Sequence, residues 1–145
     1  MSVAFSVLKG QIFSRVYQCG ESIVFEQNGK IKYTLEHMQD CCETVYIEDI
    51  CGDLENLENT EIFYAEESSS EGCGDESSTW TFFKLGTIKG WVDIRFYGTS
   101  NGYYSESAGL YESPDFQEEE KKKKRQTSIM YRTQFYILSR LSETR

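Results

Sequence analysis

The sequence predicts a mainly β protein: a single antiparallel β-sandwich, or a partly open barrel or meander, with short helical pieces and a C-terminal helical arm. The chain of 145 residues has ten Tyr, nine Phe and two Trp but one Pro, and aromatic residues favour strands. Residues 91–97 alternate between apolar and other residue types, as a half-buried strand does. Two Asn-Gly dipeptides, at 28–29 and 101–102, indicate tight turns between strands.

Seven strands are expected, joined mostly by hairpins. They are residues 11–17, 22–26, 30–36, 61–66, 79–85, 91–97 and 103–111. Strand 91–97 is expected to turn one set of side chains inward and the other outward. The two sets are Val92, Ile94 and Phe96, and Trp91, Asp93, Arg95 and Tyr97.

The hairpin around the first Asn-Gly allows two registers. A two-residue loop would pair Phe25 with Lys32. A three-residue loop, residues 27–29, would pair Phe25 with Ile31 and keep the apolar side chains of both strands on one face. The three-residue loop is therefore predicted.

The most unusual segment is acidic. Residues 36–76 carry fourteen Asp or Glu residues and neither Lys nor Arg. Uncompensated carboxylates are costly to bury, so this segment is expected to face water, a cation or a basic partner. Apolar residues recur within it at helical spacing and predict short helical pieces: Ile47, Ile50, Leu54 and Leu57. The polar residues 67–78 are expected to form a loop.

Residues 1–112 are predicted to form the β-rich domain, and residues 113–145 a charged linker and an amphipathic docking arm. Glu residues at 118–120 stand four positions before Lys residues at 122–124, an order that stabilises helices. Apolar side chains follow at helical spacing. The basic run 121–125 is interpreted either as a localisation or phosphate-binding patch or as a solvated helix segment, and we prefer the second interpretation.

Charge is unevenly divided along the chain. Residues 1–117 contain 20 acidic and 7 basic residues, a net charge of −13, and residues 118–145 contain 4 and 8, a net charge of +4. The body is expected to repel nucleic acid, so no direct nucleic-acid binding through it is predicted. No apolar run is long enough to span a bilayer, and no signal peptide is evident, so neither a membrane span nor secretion is expected.

Chemical sites are weakly indicated. The candidate metal ligands are His37, Cys41, Cys42 and Cys51. Structural zinc usually takes four nitrogen or sulfur ligands, often from CxxC pairs, and no CxxC occurs here. We therefore expect no metal or other cofactor, and reduced cysteines. Motifs for nucleophilic catalysis and for phosphate or dinucleotide binding are missing, so we predict no catalytic residues and no enzyme.

Ten residues are candidates for binding a protein partner. They comprise carboxylates of the acidic segment, the outward stripe of strand 91–97, and apolar residues of the arm. Trp, Tyr and Arg are enriched at interface hot spots; the alternative for the stripe is the second core face of a covered sheet. The candidates are Glu43, Glu48, Asp49 and Asp53; Trp91, Arg95 and Tyr97; and Tyr131, Phe135 and Leu138.

Three runs carry a family resemblance: QDCCETVYIEDICGDLENL at 39–57, STWTFFKLGTIKGWVDIRFYG at 78–98, and SNGYYSESAGLYE at 100–112. Together, over residues 8–112, they resemble an uncharacterised family of small proteins from tailed phages, with scattered members in other large DNA viruses. The resemblance implies a viral context and a single domain, without a catalytic role; residues 113–145 have no counterpart. The family's motif residues correspond to Cys41, Cys42, Tyr46, Glu48, Asp49, Cys51, Gly52 and Asp53.

We therefore expect a non-enzymatic viral structural or interaction protein, specifically a minor capsid or virion assembly component, in the virion or the host cytoplasm. Its expected partners are other protein subunits, with self-association through the tail as a further expectation. The first alternative is an acidic virus-encoded inhibitor that binds a basic host nucleic-acid-binding or defence protein. The second alternative is a metal-binding accessory protein.

Overall fold

The computed structural model describes residues 1–74 and 76–143, and for residues 116–120 and 135–143 it describes the backbone alone. The chain divides into two compact units, Met1–Ser113 and Pro114–Arg145. The first unit contains the strands and two short 3₁₀ helices, Phe5–Leu8 and Leu54–Leu57; the second contains helix α1, Pro114–Glu143. The strands are β1 Ser2–Val3, β2 Arg15–Cys19, β3 Ser22–Gln27, β4 Lys30–Glu36, β5 Thr44–Cys51, β6 Tyr64–Glu71, β7 Ser77–Thr87, β8 Gly90–Ser100 and β9 Gly109–Glu112.

The strands form two antiparallel sheets. The order is β1-β9-β4-β3-β2 in the five-stranded sheet and β5-β8-β7-β6 in the four-stranded sheet. Apolar side chains from both sheets form one buried core, which is the arrangement of a β-sandwich. The predicted mainly β fold, an antiparallel sandwich with a C-terminal helical arm, is confirmed.

The centre of the core is aromatic and aliphatic. Val92, Ile94 and Phe96 of β8 are at most 1% exposed, so the predicted alternation of this strand is confirmed. Phe96 packs edge-to-face on Phe83 of β7 with ring centroids 5.7 Å apart. Phe5, from the first 3₁₀ helix, packs on the same Phe83 ring at 4.9 Å. Burial of each such side chain stabilises the fold by about 1.5–3 kcal/mol.

The β3–β4 hairpin differs from its predicted register. Its loop has two residues, Asn28 and Gly29, with φ angles of 56° and 77°, as type I′ turns require. A bulge next to Glu26 then pairs Phe25 with Tyr33. The predicted three-residue loop is wrong, because the extra residue lies at the bulge within the hairpin strands and not in the loop. Phe25 and Tyr33 still share one face, as expected of the apolar side chains, and both are buried.

The acidic segment is mostly strand. Residues 44–51 form β5, and helical structure is limited to the 3₁₀ turn Leu54–Leu57. The helical spacing was misleading because a β-bulge lies between Ile47 and Asp49. An extra residue at a bulge shifts the inward face by one position. Ile47 and Ile50 therefore both pack against the core although three residues separate them.

Further boundaries depart from prediction. The first strand, expected at 11–17, is observed as β2, Arg15–Cys19. Residues 67–78 were expected to be a loop, but β6 extends to Glu71 and β7 begins at Ser77. The polar residues of β6 form an exposed edge strand, where Ser and Glu are well solvated. The last predicted strand is shorter: only Gly109–Glu112 is paired, and residues 101–108 form the loop that carries the chain from the four-stranded to the five-stranded sheet.

That loop packs closely on β8 at Gly98, which leads to a first prediction. A Cβ atom at Gly98 would lie 2.1 Å from the carbonyl oxygen of Glu106, whereas a Cβ atom at Gly109 would lie 3.8 Å from its nearest neighbour. Gly98→Ala should therefore lower the free energy of unfolding by about 1–3 kcal/mol through overpacking. Gly109→Ala is the matched strand control, with a change within about 0.5 kcal/mol. Urea unfolding measures both, and equal midpoints would contradict the close packing.

Candidate protein-binding face

The outer surface of the four-stranded sheet is rich in aromatic side chains. They point away from the core because they alternate with core residues along their strands. Tyr97 lies between Tyr46 of β5 and Trp80 of β7 in the strand register. We call this surface the aromatic face; it comprises Tyr46, Trp80, Phe82, Trp91, Arg95 and Tyr97. Its side chains are half-buried or exposed, with Tyr46 38% and Trp91 48% exposed.

Arg95 occupies the middle of this face and is held by two carboxylates. Its Nε donates to Glu48 Oε2 at 2.6 Å, and its second terminal nitrogen donates to Asp49 Oδ2 at 3.3 Å. Neighbouring strand residues normally point to opposite faces, and the β5 bulge lets both Glu48 and Asp49 reach Arg95. The guanidinium carbon also lies 5.7 Å from the centroid of the Trp80 ring. Arg95 is therefore pre-positioned by the fold.

A groove runs beside Arg95 toward the β6–β7 hairpin. It has a volume of about 510 Å³. Trp80 forms its centre: the Tyr97 ring centroid is 4.5 Å away, and the Phe82 ring is nearly parallel to it, at an interplanar angle of 10°. We call it the aromatic groove; its lining includes Ser70, Glu71, Trp80, Phe82, Arg95 and Tyr97.

Trp91 closes the opposite end of the aromatic face. Its ring packs edge-on against Phe63 and Tyr64, with centroids 5.5 and 5.2 Å away. It also covers Gly86, where an added Cβ would lie 2.6 Å from the ring. The predicted stripe of Trp91, Arg95 and Tyr97 thus lies on one outward face, where it is partly exposed.

Glu43, predicted to face a partner, is instead buried, with 3% exposure. Its Oε1 accepts hydrogen bonds from the Cys41 N–H at 2.8 Å, the Asp40 N–H at 3.1 Å and Gln39 Nε2 at 2.8 Å. The bond from Cys41 is the main reason that the pKa of Glu43 lies below its usual value, although burial acts in the opposite direction. The prediction for Glu43 is wrong because nearby N–H donors allow this carboxylate to be buried.

The candidate metal ligands do not converge. His37 Nδ1 donates to the Ser107 carbonyl at 2.7 Å, and its Nε2 lies 3.5 Å from a Glu43 oxygen. The Cys41 and Cys42 sulfur atoms lie in contact with each other, and Cys51 is a free, exposed thiol. Cys51 ends β5, whereas Cys41 and Cys42 precede the first residue of this strand, roughly 25 Å away. In the described part of the chain, no three His, Cys, Asp or Glu side chains are grouped to hold a metal ion.

Glu106 is a site residue that the sequence did not reveal. It is 8% exposed and lies in the loop between the sheets. Its carboxylate accepts hydrogen bonds from Ser77 at 3.1 Å, Thr79 at 3.0 Å and Ser100 at 2.5 Å. Burial acts to raise the pKa of Glu106, but these hydroxyl donors outweigh it and leave the pKa below its usual value. Glu106 therefore fastens the loop between the two sheets, residues 101–108 (the crossing loop), to β7 and β8.

The other predicted partner residues have different positions. Asp53 caps the second 3₁₀ helix by accepting the Glu55 N–H at 3.0 Å. Tyr131 is 73% exposed on α1. The side chains of Phe135 and Leu138 lie outside the described residues. Over the residues that the structure describes, no helix is both long enough and apolar enough to cross a membrane.

Trp80 and Phe82 were placed in a predicted strand but not assigned to a face. Their alternation with Thr81 and Phe83, which are buried, is the signal that identifies them as outward-facing. The sequence thus identified the three members of the aromatic face on β8, but not Trp80 and Phe82 on β7 or Tyr46 on β5.

Replacement of the Glu106 carboxylate should weaken the attachment of the crossing loop. Glu106→Gln keeps the shape of the side chain but replaces one accepting oxygen with an NH₂ donor. An NH₂ group cannot accept the hydrogen bond that the Ser100 hydroxyl donates. We expect the free energy of unfolding at neutral pH to fall by about 1–3 kcal/mol. Urea unfolding measures this, with exposed Glu55→Gln as the control. Identical midpoints for the two variants would contradict a clamping role.

The same carboxylate predicts a pH dependence. Because folding lowers the pKa of Glu106 below its usual value of 4.5, its ionised form stabilises the fold fully above that value, and the stabilisation is lost as the pH falls through the folded-state pKa. The stability gap between wild type and Glu106→Gln should thus narrow as the pH is lowered from 7 toward roughly 3. Urea unfolding at stepped pH measures the gap, and a gap that widens on acidification would contradict the assignment.

Comparison with known proteins places most of the chain in a family. No curated protein sequence and no solved structure matches the chain. A family model described as a domain of unknown function (DUF7448) matches residues 7–110. The matched span includes most of the sandwich, from the first 3₁₀ helix into β9. Since the match covers well over half of the sequence, the chain belongs to the DUF7448 family.

Proposed function

We propose that the chain is a non-enzymatic interaction protein that serves as a minor capsid or virion assembly component, and that its aromatic face binds a neighbouring protein subunit. The observation that supports the binding role is the half-exposed cluster of Trp80, Tyr97 and Arg95 on one sheet face. These residue types dominate the binding energy of many protein interfaces. The viral setting rests on the resemblance of the three sequence runs to the phage family.

The geometry of Arg95 favours binding over a purely solvated surface. Glu48 and Asp49 hold its guanidinium in place before any partner arrives. A pre-organised side chain loses less conformational freedom on association than a free one. The flanking aromatic rings offer large contact areas and, being short in rotatable bonds, also lose little entropy.

Helix α1 is the second element of the chain that contacts a partner in this proposal. Its exposed apolar side chains include Ile129, Met130 and Tyr131, which are 63%, 67% and 73% exposed. Adjacent exposed apolar side chains are typical of surfaces that bind a partner. In this proposal the arm contacts another subunit, which can include a further copy of the chain.

The two alternatives receive less support. Of the carboxylates predicted for an acidic inhibitor, Glu43 is buried, and the charges of Glu48 and Asp49 are partly neutralised by Arg95. A metal-binding accessory protein would need converging ligands, whereas Cys51 lies at the far end of β5 from Cys41.

Particle composition tests this function directly. Particles of the encoding virus, purified through a density gradient and analysed by quantitative mass spectrometry, should contain many copies of the chain. Arg95→Glu should reduce its incorporation by tenfold or more, on the order of a hot-spot loss, because the reversed charge faces Glu48 and Asp49 and disrupts the face. Glu55→Lys is an exposed control and should incorporate normally. Absence of the wild-type chain from particles would contradict the proposed function.

A further inference from the structure

The aromatic face has a charge pattern that points to the chemistry of its partner. Arg95 carries one positive charge, but it is shared between Glu48 and Asp49, so this central group is net negative. The groove beside it contains Glu71 at its rim. Asp93 lies next to Arg95 in the outward row of β8 and pairs across the strands with Lys84. The carboxylates on this face outnumber its cations.

Two depressions flank Arg95. The aromatic groove, on one side, combines Trp80 and Tyr97 with the carboxylate of Glu71. A second depression of about 330 Å³, on the other side, is lined by Asp49, Asp93 and the shared Phe82 and Arg95, among others. Each depression thus places an aromatic ring next to at least one carboxylate.

That combination suits a cationic side chain. The face of an aromatic ring attracts an ammonium or guanidinium group, and a neighbouring carboxylate adds a charge-assisted hydrogen bond. The face already shows both interactions within the chain, since Arg95 lies 5.7 Å from the Trp80 centroid while bonded to Glu48. The acidic segment adds to the preference of the aromatic face for a cationic side chain. Residues 36–76 carry no Lys or Arg, and an acidic body attracts basic partners.

We propose that the aromatic face binds a basic protein segment, with Lys or Arg side chains in the aromatic groove and in the depression beyond Arg95. Successive same-face residues along a strand are about 6.6 Å apart, and Trp80 and Phe82 are such a pair on β7. In an extended segment, cations at alternating positions recur at the same spacing as these two rings. This inference rests on the proposed binding role of the same face and adds the class of partner.

A peptide titration on the full chain tests the proposal. The probe is a short peptide of alternating arginine and glycine; the control probe has glutamine at each arginine. We expect saturable one-to-one binding of the arginine peptide by calorimetry, weakening with added salt, and no binding of the glutamine peptide. Trp80→Ala should weaken binding by roughly tenfold or more, as expected of a hot spot.

A matched pair of charge reversals locates the site. Glu71→Lys lies at the groove rim, and Glu55→Lys lies on the second 3₁₀ helix; both residues are exposed and both changes alter the net charge equally. Loss of binding in Glu71→Lys alone supports the groove. Equal loss in both variants would mean diffuse attraction and would overturn it. If Trp80→Ala fails to fold, the Glu71→Lys and Glu55→Lys variants still test whether the peptide binds in the aromatic groove.

Other occupants give different results. Binding of a single-stranded oligonucleotide in competition with the peptide, or a dimer without peptide that Glu71→Lys dissociates, would assign the face to nucleic acid or to a second copy and overturn the proposal. Failure of peptide binding by a chain that is abundant in particles would overturn this inference and leave the proposed function standing. Specific peptide binding by a chain that is absent from particles would contradict the proposed function and leave this inference standing.

Discussion

The buried core and the aromatic face both depend on strand β8, because its side chains alternate between these two opposite surfaces. Ile94 and Phe96 are buried in the core, and Arg95 and Tyr97 lie outside. A shift of one residue in its register would bury the charge of Arg95 and expose Phe96. The free energy that stabilises the sandwich core therefore also selects the outward row that forms the aromatic face.

Specific donors hold the buried and paired carboxylates of this chain, since the acidic segment itself has neither Lys nor Arg. Glu43 is bonded by N–H groups of its own turn, and Glu106 by three hydroxyl groups. Glu48 and Asp49 share the guanidinium of Arg95. Three carboxylates of the acidic segment, Glu43, Glu48 and Asp49, are thus bonded within the fold.

The sequence allowed a mainly β antiparallel fold and the two side-chain rows of β8 to be predicted, because the alternation along β8 is uninterrupted. It left open whether the outward row is exposed or covered by a second layer. It did not allow β5 to be predicted, since the bulge beside Glu48 places Ile47 and Ile50 at helical spacing. Nor did it reveal Glu106, whose donors, including Ser77, are distant along the chain. Bulges and long-range polar contacts are set by tertiary packing, which local patterns do not encode.

Hydroxyl-radical footprinting of the chain, free and assembled in particles, tests most directly whether the aromatic face is the binding surface. The method reports the solvent exposure of individual aromatic side chains. We predict that Trp80, Tyr97 and Tyr46 lose reactivity on assembly, while Tyr103, which is 83% exposed in the loop after β8 and is not a member of this face, stays reactive. Protection of Tyr103 together with unchanged reactivity of Trp80 and Tyr97 would contradict the aromatic face as the site of binding.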